Sequence, residues 1–397
     1  MSLAKLQLKK NEEKRIKSGH LWVYSNEVDN NATPLKSFSV GQQVLIESAQ
    51  GKPLGVGYIN PNNLLCARLV NRDYKRGLDK SLFVHRFKIA LSLRERVFAK
   101  PFYRLVYGES DGLPGLIVDR FANHLVVQIT TAGMEALKTD IIEALIKVIK
   151  PESILLRNDS NARKAESLGN VIEQAHGVTP DNLQIEENDT QFIIHPHTGQ
   201  KTGWFYDHRV SRQQIAQYVK GQRVLDVFSY IGAFGIQMAS HGASELWSID
   251  ISAKALDELE QNAELNGIQD ITTCVEGDAY TAMTELKQQG EKFDVVIVDP
   301  PAFIKKKKDH KAGLNAYRKV NEAAIRLLNR DGILLSASCS MHLKSSELQD
   351  CIRAAGRHLD KTVQIIEQYH QGQDHPIHPA IDETRYIKGF ISRVLSA

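Results

Sequence analysis

Cysteine is scarce in this chain: Cys66, Cys274, Cys339 and Cys351 are the only four in 397 residues, and no two have the spacing of metal ligands. That usage fits a reducing cytosol and argues against a zinc site. Long apolar runs are missing as well. None approaches the roughly 20 residues that span a bilayer, and the charged N-terminus has no apolar segment behind it, so neither a membrane span nor a secretory signal is expected. Charge of one sign is not in excess; the net value is only +3, so affinity for a polyanion has to come from local patches. No internal repeat or long low-complexity tract is present. These gaps leave a soluble cytoplasmic protein as the expectation, and 42% hydrophobic content is enough for a large core in two or three domains.

Three blocks follow one another. Residues 1–72 read as all-β: short alternating runs such as Gln43–Ile46 and Leu64–Val70 are separated by turns rich in Gly, Pro and Asn. A basic amphipathic segment precedes those strands, and its Lys9, Lys10, Lys14, Arg15 and Lys17 are candidate phosphate contacts. Residues 73–185 read as α+β. A helix over Leu82–Phe98 leads to the turn Gly108-Glu109-Ser110-Asp111-Gly112-Leu113-Pro114-Gly115, best explained as a tight loop before a hairpin. The hairpin's strands, Leu116–Phe121 and His124–Thr130, meet at Ala122-Asn123; a helix (Glu135–Ile149) and a strand (Ser153–Arg157) follow. Residues 186–397 alternate strand and helix, the signature of a parallel α/β sheet. Strands are predicted at 223–229, 245–251, 271–276, 293–298, 332–337, 363–368 and 386–394, with helices that include 253–266 and 315–328.

The first strand of the last block ends in Asp226-Val227-Phe228-Ser229-Tyr230-Ile231-Gly232-Ala233-Phe234-Gly235. Gly232 and Gly235 permit close backbone approach to a ligand, with Phe228 and Ser229 lining the same turn. The turn lacks the G-x-G-x-x-G spacing that cradles a pyrophosphate, which counts against a dinucleotide dehydrogenase. Acids close the first three strands. Asp226 suits a cationic or amine-bearing group, Asp250 stands where ribose hydroxyls are gripped, and Asp278 is placed to accept from an adenine amine. Three acids would repel a phosphorylated cofactor and match S-adenosylmethionine (SAM). The competing reading of each is a helix N-cap. Upstream, Thr202 and Arg209 lie in a stretch that could fold over the cofactor, with Arg209 pairing the methionine carboxylate; the alternative is a surface loop.

The most informative stretch is Phe293-Asp294-Val295-Val296-Ile297-Val298-Asp299-Pro300-Pro301-Ala302-Phe303. It reads as a buried parallel strand ending at the edge where open α/β sheets bind ligands. An Asp-Pro-Pro corner with a phenylalanine close behind marks methyltransferases that act on a planar base, so Asp299, Pro300, Pro301 and Phe303 are candidate base contacts. The next strand ends in Ser338-Cys339-Ser340. A thiolate at Cys339 adding to C6 of a pyrimidine would make C5 nucleophilic toward a methyl donor, while Asp299 bound the N3 edge and exocyclic amine. The target base would have to be flipped out or unpaired. The plainer reading of Cys339 is a buried core thiol, the one preferred for Cys66, Cys274 and Cys351. The exposed-looking run Lys305-Lys306-Lys307-Lys308 is either an RNA phosphate contact or a solvated loop.

At these residues the sequence resembles a known family, the bacterial large-subunit (23S) rRNA cytosine-C5 methyltransferases with an N-terminal PUA domain. The resemblance covers essentially the whole length. It rests on Gly19-His20-Leu21-Trp22-Val23-Tyr24, the Gly108–Gly115 turn, Lys201-Thr202-Gly203, Asp226–Tyr230, Asp299–Phe303 and Ser338-Cys339-Ser340. It implies a PUA RNA-binding domain, a small α+β middle domain and a Rossmann-like class I SAM methyltransferase domain. It also implies SAM as cofactor and 5-methylcytosine in large-subunit rRNA, or in a ribosomal assembly intermediate, as product. Other RNA cytosine-C5 methyltransferases carry a second cysteine after the corner proline; here Ala302 follows Pro301, so product release needs a different base or water. Two alternatives stand beside this reading. One is N-methylation of guanine or adenine, with Cys339 only packing; the other is an RNA-binding protein on a degenerate methyltransferase fold. The oligomeric state is left open, a homodimer included.

Overall fold

The computed structural model describes residues 3–396. The chain divides into two compact units. The first holds the residues through Leu183 together with Ile194–Tyr206 and Gln373–Thr384. The second holds Gln184–Ile193, Asp207–Gly372 and the chain from Arg385 on.

The first unit contains two five-stranded sheets. In one, the order is Ala4–Gln7, Gln42–Glu47, Pro53–Ile59, Leu65–Asn71, Trp22–Tyr24. The pattern of residues 1–72 predicts all-β structure, and this sheet supplies it. In the basic segment before the first alternating run, Ala4–Gln7 is a strand pairing parallel with Val44–Glu47, and Glu13–Lys17 is helical. The other sheet runs Val171–His176, Ser153–Asn158, His124–Ile129, Leu116–Phe121, Phe102–Tyr107. Its central hairpin turns at Ala122 (φ 54°) and Asn123, as the dipeptide predicts.

The pattern break near residue 72 does not end a core. Val56, Tyr58 and Val70 share one buried cluster with Phe83, Phe87, Leu105, Leu116 and Met134. The Tyr58 hydroxyl donates to Pro114 O (2.7 Å) and accepts from Thr131 Oγ1 (3.0 Å). A Cβ on Gly133 would stand 2.0 Å from the Tyr58 ring, so glycine is required there. The Gly108–Gly115 turn is a cross-tie of the same unit. Asp111 holds both Arg94 terminal nitrogens (2.7 and 2.8 Å) and the Tyr107 amide (2.7 Å), and Glu109 accepts from the Trp22 indole (2.9 Å).

In the second unit, the hairpin Leu183–Glu187/Thr190–Ile194 turns at Asn188 and Asp189, both at positive φ as a tight turn demands. After it comes a seven-stranded sheet. Its elements are β1 (Arg223–Val227), α1 (Gly235–Ser240), β2 (Glu245–Asp250), α2 (Ala253–Leu265), β3 (Thr272–Glu276) and α3 (Ala279–Gln288). They continue with β4 (Phe293–Val298), α4 (His310–Leu327), β5 (Leu328–Ser338), α5 (Ser345–His358), β6 (Lys361–Tyr369) and β7 (Lys388–Ser396). The spatial order is β3-β2-β1-β4-β5-β7-β6. The strands through β5 are parallel, and β7 is inserted antiparallel between β5 and β6. The α/β, Rossmann-like sheet expected from the strand-helix alternation is therefore present. β1 and β4 lie at its centre, and their Val/Ile runs are buried on both faces. The order reverses between them, and the crevice beyond their carboxyl ends is where such sheets bind ligands.

Two boundaries in the seven-stranded sheet unit differ from the sequence reading by four residues or more. Helix α4 starts at His310 instead of Asn315, since Gly313, a residue that discourages helix, is needed where a Cβ would meet Ile304 Cγ1 at 2.3 Å. Strand β5 starts at Leu328 instead of Gly332, because the register against β4 slips between Phe293 and Val295.

Candidate active site

Asp226, in β1, is 1% exposed, and its Oδ2 accepts the Gly235 amide at 2.8 Å. Burial pushes its carboxyl up to about 7; the amide opposes this, and the neighbouring Asp299 and Asp250 add to it. A carboxylate so placed gains from a cation. The turn after it is strained: Phe228 and Tyr230 hold φ of 67° and 49°, a left-handed conformation costly for aromatic residues. Asp250 fastens the turn by accepting the Tyr230 amide (2.8 Å) on one oxygen and the Ser252 amide (2.9 Å) on the other. Buried Ser229 donates from its hydroxyl to Ile249 O (3.3 Å). Gly232, at φ 85°, has no room for a Cβ, which would stand 2.6 Å from Ile236 and 2.7 Å from Leu259.

The carboxyl ends of β1, β2 and β4 thus gather Asp226, Asp250 and Asp299 around one crevice. This set repels phosphate and fits a group bearing a sulfonium cation and ribose hydroxyls. A carboxylate has about four lone-pair sites, so the two backbone bonds on Asp250 leave capacity for a hydroxyl.

Other predicted residues have partners within the fold. Asp278 caps α3: its Oδ1 accepts the Tyr280 and Thr281 amides, both at 3.1 Å, and the Thr281 hydroxyl at 3.2 Å. The cap occupies Oδ1, so it stands beside the expected adenine contact without replacing it. Arg209 does not extend into solvent. It is buried, and its Nε donates to Glu187 (3.1 Å), which also takes Arg212 Nε (2.7 Å) and Gln237 Nε2 (3.1 Å). A carboxylate within the fold thus takes the Nε of the guanidinium that the sequence offers to methionine. Thr202 belongs to the first unit, where it is fully buried with its hydroxyl donating to Asp119 at 2.6 Å.

Asp299 follows β4, and Cys339 follows β5. Those strands pair in parallel through Val298 and Ser336, so the two side chains stand at neighbouring strand ends, as the sequence order predicts. Cys339 is half-buried. Cys66 and Cys351 are buried and Cys274 is half-buried; burial pushes their thiols up to about 12, about 11 and about 12 respectively, far from nucleophilic. Pro300 is buried, Pro301 exposed, and the Phe303 ring packs on Tyr317 with centroids 4.8 Å apart. Lys305 and Lys306 are exposed together with Lys307 and Lys308.

On the first unit, Lys10 and Lys14 are exposed, and exposed Lys9 donates to Asn26 O at 2.8 Å. Arg15 is half-buried. It is clamped by Glu27 at 2.6 and 2.8 Å and donates to Trp22 O at 3.1 Å.

The site also contains residues that the sequence did not single out. His208 Nε2 stands 3.4 Å from Asp299 Oδ2. The Tyr317 hydroxyl joins Ser338 Oγ (2.7 Å) and Ser340 Oγ (2.9 Å) and accepts the Phe303 amide (3.4 Å); the Ile304 amide donates to Ser340 Oγ (3.3 Å). One phenol therefore ties the Asp299–Phe303 corner to the residues on either side of Cys339. Lys388 Nζ donates to Ser340 O (2.5 Å) and Leu343 O (2.8 Å). The serines flanking Cys339 were the only hint of such a hub, and their partners are distant in sequence.

Comparison with known proteins agrees with this crevice. A model of S-adenosylmethionine-dependent methyltransferases matches residues 166–373, and one of PUA-like domains matches residues 6–72. Ribosomal RNA large subunit methyltransferase I of Shigella flexneri is 36% identical across 98% of this chain and 99% of its own length. The protein of the same name from Aliivibrio fischeri (strain MJ11) is 34% identical over the same shares. The chain belongs to this family. It is a SAM-dependent methyltransferase with a PUA-like N-terminal domain. The fold recurs in solved structures described as methyltransferases. One from Streptococcus mutans has a TM-score of 0.83 at 20% identity, and another, complexed with S-adenosylhomocysteine, has 0.84 at 19%; each match covers 98% of this chain and 100% of the other. Among the described residues no helix is long and apolar enough to cross a membrane, and no group of three His, Cys, Asp or Glu side chains is placed to hold a metal ion.

Proposed function

We propose that this protein methylates C5 of a cytosine in large-subunit ribosomal RNA, with Cys339 as nucleophile and Asp299 as the group that grips the base. The observation that carries the reading is the placement of these two side chains at the carboxyl ends of adjacent parallel strands, β4 and β5, beside the acidic crevice. Of the four cysteines, only Cys339 stands at such a strand end. The family match supports rRNA as the substrate.

Asp226 and Asp250 are the residues that would hold SAM, with Phe228, Ser229 and Gly232 shaping the turn against it. When bound, SAM supplies an electrophilic methyl group on a sulfonium. Cys339 Sγ, as the thiolate, bonds to C6 of the cytosine and raises electron density at C5. Asp299 accepts from the exocyclic amine on one oxygen and, carrying a proton on the other, donates to N3, so the negative charge that develops on the ring meets a fixed hydrogen bond instead of water. After methylation, loss of the C5 proton expels the thiolate and restores the ring double bond. Ala302 offers no second thiol for that step. Lys305, Lys306 and the exposed Lys9, Lys10 and Lys14 are among the basic groups open to RNA phosphates.

The test is incubation of the purified protein with methyl-labelled SAM and unmodified large-subunit rRNA, followed by digestion to nucleosides. Label in 5-methylcytidine that disappears in Cys339→Ala supports the reading. Label in a methylated purine, or full activity of Cys339→Ala, overturns it in favour of N-methylation.

A further inference from the structure

We propose that Lys388 is a positioning residue for the reaction, holding a buried ammonium against the Cys339 loop so that the thiol ionises at neutral pH. The inference rests on the reading of Cys339 as nucleophile and adds the means by which that sulfur becomes reactive.

Antiparallel β7 pairs with β5 so that Lys388 stands directly across from Ser338, the residue before Cys339. The Lys388 side chain is buried, at 7% exposure for the residue, and its Nζ donates to the carbonyls of Ser340 and Leu343. Those carbonyls belong to the loop that begins at Cys339, so the ammonium lies under the turn that carries the thiol. Two carbonyls satisfy hydrogen bonds but carry no net charge. Among the described residues, no carboxylate comes within ion-pair distance of this nitrogen. A buried cation without a counter-charge is costly, and a nearby thiolate would relieve that cost. Burial pushes the ammonium down to about 8, and the charge on Cys339 acts to restore it, ahead of a smaller contribution from Glu347 on α5. The coupling is mutual, so the ammonium favours the thiolate as much as the thiolate favours the ammonium. The loop itself carries half-buried His342 and is followed by exposed Lys344, and two further ionisable groups adjoin it. Tyr317, on α4, has its phenol raised by burial and stays neutral. Asp299, the carboxyl at the end of adjoining β4, opposes the thiolate. Lys388 is the buried cation in the set. On ionisation the thiol proton leaves to solvent, and the ammonium keeps all its protons.

The experiment follows iodoacetamide alkylation of Cys339 in the full-length protein against pH, with the modified residue located by mass spectrometry. The raised thiols of Cys66, Cys274 and Cys351 keep them slow in the same assay. The wild-type midpoint is expected below the ordinary cysteine value of about 8.5. Lys388→Met is expected to raise it by about one pH unit or more, a roughly tenfold loss of alkylation rate at pH 7. Lys388→Arg should stay near wild type, since it keeps the charge. In the methylation assay Lys388→Met should lose kcat and recover part of it at higher pH, with KM for SAM little changed. An unshifted midpoint in Lys388→Met overturns the proposal. If that variant fails to fold, a wild-type midpoint at or above about 8.5 overturns it without any substitution. The alkylation result is independent of the RNA reaction. Full activity in Cys339→Ala would sink the nucleophile reading while leaving the measured Lys388–Cys339 coupling intact.

Discussion

His208 Nε2 stands 3.4 Å from Asp299 Oδ2, so the carboxyl assigned to the target base has a ring nitrogen fixed beside it. His208 is itself held: Phe234 packs edge-on at 5.6 Å, and Ser211 Oγ lies 3.3 Å from Nδ1. With a proton on Nε2, the imidazole orients the carboxyl toward the crevice. Asp299→Asn is therefore expected to lower kcat by about a hundredfold, the scale seen when a preorganised polar partner is removed. His208→Ala should cost about tenfold, since it removes an orienting partner and leaves the carboxylate in place. Steady-state kinetics with calorimetric SAM titration checks both; equal losses in kcat and in SAM affinity would contradict the assignment.

Asp226 predicts a pH effect of definite sign. Its folded value, about 7, lies above the ordinary carboxyl value of 3.8, so between these pH values the folded state binds more protons than the unfolded state. Stability without cofactor should fall as pH rises from about 4 to about 7 and then level off. Asp226→Asn keeps an acceptor for the Gly235 amide and removes the charge. Its melting temperature should exceed wild type by a few degrees at pH 8, corresponding to on the order of 1 kcal/mol, and match it near pH 4. SAM binding should weaken in the same variant. Thermal unfolding at the two pH values decides it, and a lower melting temperature at pH 8 would refute the charge argument.

Tyr317→Phe removes the hydroxyl that joins Ser338, Ser340 and the Phe303 amide. The buried partners left behind should cost about 1–3 kcal/mol in urea unfolding. The corner and the thiol loop lose their common anchor, so methyl transfer should slow even at temperatures where the variant is fully folded. Unchanged kcat in the folded variant would mean that the hub serves stability alone.

The basic residues separate into two groups with different expected effects. Replacing exposed Lys305, Lys306, Lys307 and Lys308 with Ala should make the salt dependence of RNA affinity shallower by about 1–3 units of slope. Arg15→Ala breaks the Glu27 clamp and should lower stability with little change in slope. Filter binding at a series of salt concentrations distinguishes the two, and an unchanged slope in the lysine variant would remove that run from the RNA surface.

The parts of this molecule that could be read in the sequence are those governed by nearest neighbours. β1 and β4 announce themselves because a parallel strand buried on both faces is an unbroken Val/Ile run, and the Asp299–Cys339 pairing follows from two successive strands lying side by side. The turn at Ala122-Asn123 is equally local. Roles that depend on distant partners were not legible. Arg209 looked like a ligand for a carboxylate, and it does bind one, but Glu187, 22 residues earlier, supplies it. Thr202 finds Asp119 83 positions away. Lys388 appears in the sequence as one more lysine near a strand, and only the antiparallel insertion of β7 brings it under the thiol loop. Asp278 was ambiguous for a different reason, since a carboxyl at a strand end followed by a helix serves equally as a cap.

The chain passes five times between its two units, because each is assembled from three separate stretches. A gene fragment cut at the change of pattern near residue 186 would therefore yield no self-sufficient piece. The methyltransferase half would lack Gln184 and Ile185 and would carry Ile194–Tyr206 and Gln373–Thr384 without the residues that complete their unit. The half with the PUA-like domain would be missing those same two segments. Recombination can shuffle modules that are joined by one linker; two units sewn together in this way are inherited, lost and engineered as one.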